Sequence, residues 1–279
     1  MILSGTTKLA GILGWPVGHS KSPRLHGFWL EHHGIDGAYV PLPVRPEAFA
    51  NALRALGDLG FRGASVTVPH KVAALEACDH LDAAAERIGA VNTVIFAEGR
   101  IEGRNTDAPG FIENLRQGAP AWSAAGGPAV VIGAGGAARA VVFALLEAGV
   151  GELRLVNRTA ARAEELARDF GDSLSVVPWA ERAAALAGAG LLVNTTSLGM
   201  SGQAALDLSL DHLPETAVVN DIVYAPLETE LLRRAKARGH ETVDGLGMLL
   251  HQGRPAFEAW FGVDPEVTPE LRAFVLAQD

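Results

Sequence analysis

Residues 129–138 read Ala129-Val130-Val131-Ile132-Gly133-Ala134-Gly135-Gly136-Ala137-Ala138. An apolar run that ends in a glycine-rich turn and opens a helix has the form of a phosphate cradle. Gly133 allows the tight turn. Gly135 lets backbone N–H groups approach a pyrophosphate, with Ala134, Gly136 and Ala137 in the same loop, and the small Ala138 lets helix pack on strand. The helix predicted over about 137–148 presents its positive N-terminal end to the phosphates. A tight loop in any α/β protein carries similar glycines. The placement between an apolar strand and an apolar helix is what points to a dinucleotide.

The next predicted strand, Glu152-Leu153-Arg154-Leu155-Val156, ends in Asn157-Arg158-Thr159. NAD-binding folds usually place an acid at this strand end to hold both ribose hydroxyls, and none stands here. A neutral amide, a guanidinium and a hydroxyl suit a 2′-phosphate, because guanidinium and phosphate pair in a fork geometry. Arg162, about one helical turn on, adds a second cation. A solvated arginine is the plain alternative for Arg158; the glycine loop upstream favours NADP.

Length and composition bound the rest. The 279 residues suggest about two domains, and 48% hydrophobic residues suffice for substantial cores. A formal net charge of −9 argues against broad binding to nucleic acid or an anionic membrane, so an anionic ligand needs a local cationic site. Cys78 is the single cysteine, which excludes an intrachain disulfide and a cysteine-rich metal site; on a predicted helix it reads as inert packing. No metal is expected, since His19, His70 and His251 lack ligand spacing. The N-terminus lacks a signal pattern and no apolar run is long and uncharged enough to span a bilayer, so a soluble, cytoplasmic protein is expected. No apolar interface stripe is evident, which leaves monomer and homodimer both open.

Strand and helix signals alternate along the chain. Strands are predicted over 9–15, 38–44 and 64–68, with helices over 22–33 and 46–59. Ser22-Pro23 reads as N-cap and first turn of the first helix. Short helices near 72–77 and 82–88 precede a hairpin of 91–97 and 101–104 around Glu98-Gly99-Arg100. After a helix near 108–117 and a soft Gly/Ala/Pro segment over 118–128, strands recur at Val130, Leu153, Val176, Leu192, Val218 and near Thr242. That pattern is a Rossmann-type doubly wound parallel sheet. Helices over about 246–261 and 269–277 close the chain and are expected to return to the first domain. The fold class is therefore α/β: a discontinuous N-terminal α/β domain, 1–107 completed by 245–279, plus a Rossmann-type domain over 108–244.

Four polar clusters interrupt apolar structure where strands end, the place where open α/β sheets bind ligands. In His19-Ser20-Lys21-Ser22-Pro23, two hydroxyls at a helix mouth make a carboxylate site; simple capping explains Ser22 but not Ser20. In Ser65-Val66-Thr67-Val68-Pro69-His70-Lys71, alternation puts Ser65 and Thr67 on one face, with Lys71 beyond the strand end. Taken alone, Lys71 reads as a solvated surface lysine. In Gly89-Ala90-Val91-Asn92-Thr93, a buried Asn92 amide needs partners or a ligand. In Asn105-Thr106-Asp107, the aspartate serves either a helix cap or a site.

Together with Gly14-Trp15-Pro16-Val17-Gly18, the glycine loop, Asn194-Thr195-Thr196-Ser197, Asp221-Ile222-Val223-Tyr224 and Asp244-Gly245-Leu246-Gly247-Met248-Leu249-Leu250-His251-Gln252, these clusters resemble the shikimate dehydrogenase family across essentially the whole chain, in order. The resemblance implies reversible reduction of 3-dehydroshikimate to shikimate by NADPH, within aromatic amino-acid and chorismate biosynthesis. It implies that the first domain binds substrate and the second NADP. By it, Ser20 and Ser22 hold the substrate carboxylate. Thr67, Asn92, Asp107, Tyr224 and Gln252 surround the ring hydroxyls, and Lys71 is catalytic with Asp107 as partner. The glycine loop (Gly133, Ala134, Gly135, Gly136, Ala137), Asn157, Arg158, Thr159 and Arg162 bind NADP, with Ile222 and Gly245 near the nicotinamide. One departure is visible: the family usually has Asn where this chain has Ser65, and serine is shorter and lacks the amide's paired donor and acceptor. A quinate/shikimate dehydrogenase acting on a related cyclitol acid is the nearest alternative. A methylenetetrahydrofolate dehydrogenase is disfavoured by Ser20 and Ser22, and a non-catalytic NADP- or shikimate-binding regulator by the presence of both Lys71 and Asp107.

Overall fold

The computed structural model describes residues 3–171 and 173–277. In chain order it contains β1 (Lys8–Gly14), α1 (Ser22–His32), β2 (Gly37–Pro43), α2 (Phe49–Asp58), β3 (Phe61–Val66), α3 (Ala73–Ala77), β4 (His80–Leu81), α4 (Ala83–Ile88), β5 (Thr93–Ala97), β6 (Arg100–Arg104) and α5 (Asp107–Gly118). There follow β7 (Ala129–Ile132), α6 (Gly136–Glu147), β8 (Leu153–Val156), α7 (Ala160–Phe170), β9 (Leu174–Val177), β10 (Leu191–Asn194), β11 (Val218–Asp221), α8 (Glu230–Ala237), β12 (Thr242–Val243), α9 (Leu246–Phe261) and α10 (Pro269–Leu276). Two units form: the chain up to Asp107 with the chain from Leu249 on, and Ala108–Met248.

The first unit is built on a mixed sheet of order β2-β1-β3-β5-β6-β4. β2, β1 and β3 run parallel, while β5 and β6 form an antiparallel hairpin on the β3 side. Side chains alternate across it. Leu13, Ala64 and Val66 pack with Phe49, Leu53 and Leu56 of α2 on one face. On the other, Tyr39 meets His26 of α1 and Trp260 of α9, and Trp29 of α1 meets Phe257 of α9. The third strand ends at Val66, two residues short of the predicted end. The two-residue β4 pairs with β6 and carries no signal of its own. Cys78 lies just past α3 rather than on it, and burial, with the charge of Asp79 adding, pushes its thiol up to about 12, which suits an inert packing role.

His26 is the unusual member of this core. It is 1% exposed, stacks on Tyr39 at 4.1 Å between ring centroids, and its Nδ1 has no hydrogen-bond partner. Burial lowers its pKa to about 3, below the 6.5 of an unfolded chain. A folded-state pKa below the unfolded one means that the neutral ring stabilises the fold above about pH 6.5, and that this contribution is lost as pH falls toward 3. Each pH unit in that window costs about 1.4 kcal/mol. We expect the unfolding free energy of His26→Phe to fall less steeply than wild type between those limits, by about one proton's worth of slope. Parallel stability–pH curves would contradict the assignment.

The second unit holds a fully parallel sheet of order β12-β11-β10-β7-β8-β9. β7, β10 and β11 are buried at every residue; β7 is apolar throughout, while β10 ends in Asn194 and β11 in Asn220-Asp221. The chain winds outward from β7 through β8 to β9, then returns to β10 on the other side of β7. Strand order therefore reverses between β7 and β10, and the crevice outside their C-terminal ends is the place where such sheets bind ligands. Ala138 and Ala140 of α6 are buried without residual exposure, so this helix lies close on the sheet. Among the described residues no helix is long and apolar enough to cross a membrane.

Candidate active site

In the first unit the polar clusters gather beyond the C-terminal ends of β1 and β3. Main-chain hydrogen bonds stitch these segments together: Thr67 N to Leu13 O at 2.9 Å, Val66 N to Asn92 O at 2.7 Å and Val91 N to Lys71 O at 2.8 Å. Lys71 is therefore carried by a turn that its own carbonyl fixes. Its side chain is 14% exposed and forms an ion pair with Asp107, which is 2% exposed. A solvated surface lysine this is not. Asp107 begins α5, but its carboxylate serves the cluster: Oδ2 takes Lys71 and Oδ1 accepts from Asn92 Nδ2 at 2.9 Å.

Asn92 is the hub. It stands just before β5 and is almost fully buried. Its Oδ1 accepts from Thr106 N at 2.8 Å, and its Nδ2 faces Thr106 Oγ1, Asp107 Oδ1 and Gln252 Oε1 at 3.0, 2.9 and 2.7 Å. The amide carries two protons for these three acceptors, and Thr106 Oγ1 also has Thr93 Oγ1 at 3.2 Å. Lys71, Asn92, Asp107 and Gln252 thus form one connected group. Thr106 and Asn105 belong to it as supports that sequence reasoning quoted but gave no role: Asn105 Oδ1 accepts from Asp107 N at 3.1 Å and its Nδ2 donates to Ala90 O at 2.8 Å. His70 beside Lys71 is structural. It is buried, stacks on Phe49 and donates from Nε2 to Val44 O at 2.8 Å, and burial lowers its pKa.

Ser20 and Ser22 follow β1 at the mouth of α1, and here the expected cap is corrected. The N-cap is Lys21, Ser22 is the first helical residue, and no side chain caps the helix. Instead Ser20 Oγ accepts from Ser22 N at 3.2 Å. Local sequence favours serine at the cap, but the turn ending at Ser20 brings its hydroxyl over the helix start. Lys21 points elsewhere, donating to Val275 O at 3.0 Å near the end of α10.

In the second unit the glycine loop lies at the switch point. Gly133 has φ of +115°, and a Cβ there would meet Thr195 Oγ1 at 2.5 Å. Thr195, at the end of β10, is held by Oγ1 to Ile132 O at 2.8 Å. Gly135 is the N-cap of α6 and a Cβ there would meet nothing. Gly133 is thus required by the fold, whereas the space over Gly135, at the N-terminus of α6, is open. We expect Gly133→Ala to lower Tm by several degrees, because it combines a positive φ with a steric clash. Gly135→Ala should leave Tm unchanged and weaken NADP binding several-fold. Equal loss of stability in both variants would remove the distinction.

Of the other residues expected on the cofactor side, Asn157, Arg158 and Thr159 follow β8, Arg162 lies in the first turn of α7, Ile222 follows β11 and Gly245 follows β12. Asn157 Nδ2 donates to Thr159 O at 2.9 Å, shaping the turn after β8. Arg158 and Arg162 are exposed, and among the described residues neither has a carboxylate partner, whereas Arg139 of α6 pairs with Asp169 at 2.6 Å. Gly245 abuts the main chain of Ile222, so closely that no Cβ fits. Tyr224 follows in the loop after β11, in this unit and not in the first. That loop is anchored by Asp221, which sequence reasoning quoted in its motif but gave no role. Its carboxylate accepts from Thr229 Oγ1 at 2.7 Å, Asn194 Nδ2 at 3.0 Å and Val223 N at 3.0 Å, while burial raises its pKa to about 6. Among the described residues no group of His, Cys, Asp or Glu is arranged to hold a metal.

A parallel sheet with a glycine loop at its switch point, in one chain with a buried Lys–Asp pair inside an amide and hydroxyl cluster, defines a dinucleotide-dependent α/β oxidoreductase. Family models match along the chain: the shikimate dehydrogenase substrate binding domain over residues 12–94, shikimate/quinate 5-dehydrogenase over 120–223 and the shikimate 5′-dehydrogenase C-terminal domain over 245–269. A shikimate dehydrogenase (NADP(+)) of Paramagnetospirillum magneticum is 64% identical over 276 residues, covering 99% of this chain and 100% of its own. The shikimate 5-dehydrogenase of Thermus thermophilus, solved with NADP(H) and shikimate, is 43% identical with a TM-score of 0.85 over 96% of this chain and 98% of that one. A quinate dehydrogenase of Corynebacterium glutamicum, solved with NAD, is 31% identical with a TM-score of 0.88 over 97% and 99%. The chain belongs to the shikimate dehydrogenase family.

Proposed function

We propose that this chain catalyses the reversible reduction of 3-dehydroshikimate to shikimate with NADPH. The observation that carries the chemistry is the Lys71–Asp107 pair held by Asn92. Bound NADPH supplies the hydride to the carbonyl carbon. As that bond forms, negative charge grows on the carbonyl oxygen. The Lys71 ammonium stabilises that charge and delivers the proton that completes the alcohol; in the oxidative direction it receives the proton back. Asp107 fixes the ammonium and, with Asn92, Thr67, Tyr224 and Gln252, engages ring hydroxyls. Ser20 and Ser22 take the carboxylate.

The first unit serves as the substrate domain and the second as the NADP domain. NADP is held by backbone N–H groups of Gly133–Ala137, with Asn157, Arg158, Thr159 and Arg162 on the 2′-phosphate. Ile222 and Gly245 flank the nicotinamide. Substrate and cofactor are both soluble anions, which suits a cytoplasmic enzyme. A quinate-oxidising enzyme is the second reading, favoured by the likeness to a quinate dehydrogenase. Arg158 at the strand end, with no carboxylate partner among the described residues, opposes an NAD-linked version of it. Purified protein mixed with shikimate and NADP should form NADPH, with 3-dehydroshikimate identified as the product by NMR. No NADPH from shikimate, at any ratio of the two, would overturn the proposal.

A further inference from the structure

Ser65 sits on β3, and its hydroxyl is already engaged. Tyr39 donates its phenolic proton to Ser65 Oγ at 2.8 Å. The two come from strands on either side of β1: Tyr39 is in register with Ala10, and Ser65 with Ile12, two residues along. Paired positions share a face, and alternate positions of one strand do too, so Tyr39 and Ser65 lie on the same face as Thr67. The small Ala10 leaves room for the phenol to pass over β1. Tyr39 has little freedom. It is 8% exposed, stacks on His26 at 4.1 Å and lies beside Trp260 at 5.8 Å between centroids.

A serine hydroxyl has one proton and two acceptor positions. The Tyr39 donor fills one acceptor position and turns the Ser65 proton outward as a directed donor. An amide would present such a donor unaided; a lone serine would rotate. We propose that Tyr39 is a positioning residue for substrate binding: its phenol orients Ser65 so that Ser65 Oγ donates to a ring hydroxyl oxygen of the bound cyclitol acid. This rests on the assignment of shikimate as substrate. In this role Tyr39 touches Ser65 rather than the substrate and takes no part in proton transfer.

A double-mutant cycle tests it, with shikimate binding measured by calorimetry alongside steady-state kinetics and thermal melting. Tyr39→Phe keeps the ring and removes the donor. It should raise the Kd and KM for shikimate by about three- to tenfold, the scale of one neutral hydrogen bond, with kcat within about twofold and the KM for NADP unchanged. Ser65→Ala alone should do the same. In the Ser65→Ala background, Tyr39→Phe should then change shikimate affinity by less than about 1.5-fold, since the interaction it feeds is gone. A merely structural tyrosine would add its effect in both backgrounds and lower Tm with it. Additive effects, or an unchanged Kd in either single variant, would overturn the proposal. Should Tyr39→Phe fail to fold, Ser65→Ala still decides: full shikimate affinity in that variant refutes it. A wild-type protein that binds no shikimate would overturn the substrate assignment itself, an outcome distinct from failed coupling.

Discussion

Lys71→Ala loses at least about a hundredfold in kcat for shikimate oxidation, while the KM for shikimate stays within about threefold. Positioned proton transfer contributes roughly 10²–10⁴-fold, and Lys71 is the only ammonium held in the Asn92 cluster among the described residues. Its effect falls on the developing alkoxide and not on the bound ground state, so kcat and kcat/KM drop together. The variant also leaves Asp107, 2% exposed, without its cation, which costs stability. Lys71→Met keeps most of the stem but likewise leaves Asp107 without a cation: it should be as inactive as Lys71→Ala, and any difference in melting between the two variants reports only the packing of the stem. Thermal melting and steady-state rates on both variants make the comparison. A kcat within about threefold of wild type in a folded variant would remove Lys71 from the mechanism.

Arg158→Ala raises the KM for NADP by about ten- to a hundredfold and leaves that for NAD nearly unchanged. A charge-assisted contact is worth roughly 1.5–3 kcal/mol, which sets that range. The turn after β8 carries Asn157, Arg158 and Thr159 and no acid, and the guanidinium is exposed without a carboxylate partner among the described residues. Arg162 lies in the first turn of α7, so the single variant keeps part of the cationic site. Arg158→Ala/Arg162→Ala should therefore go further than either alone. Initial rates over a range of each cofactor give the answer. Equal losses for NADP and NAD would show that Arg158 does not read the 2′-phosphate.

The second unit was legible in the sequence because its central strands β7, β10 and β11 are buried on both faces and begin as apolar runs. Val130, Leu153, Val176, Leu192, Val218 and Thr242 all fall in strands. The first unit is read less completely, since its details depend on partners distant along the chain. Nothing near His80-Leu81 signals a strand until β6 lies beside it. Serine at Ser22 looks like a cap until the turn at Ser20 supplies the competing hydroxyl. The core role of His26 depends on Trp260 and Phe257 of α9, far along the chain. The same holds at the site. The motifs carry Lys71, Asn92, Asp107 and Gln252 in order, but a lysine that looks solvated in sequence acquires its meaning from a carboxylate 36 residues away. Asp221 was quoted within its motif but given no role, because its three donors appear only in the folded loop.

The most direct test of the whole account is kcat/KM for the four pairings of shikimate and quinate with NADP and NAD, on one preparation of the wild-type protein. Shikimate with NADP should be highest. It should exceed shikimate with NAD by at least about tenfold, as expected for one charge-assisted contact to the 2′-phosphate. A maximum at quinate with NAD would contradict both the substrate assigned to the Lys71 cluster and the cofactor assigned to the turn at Arg158.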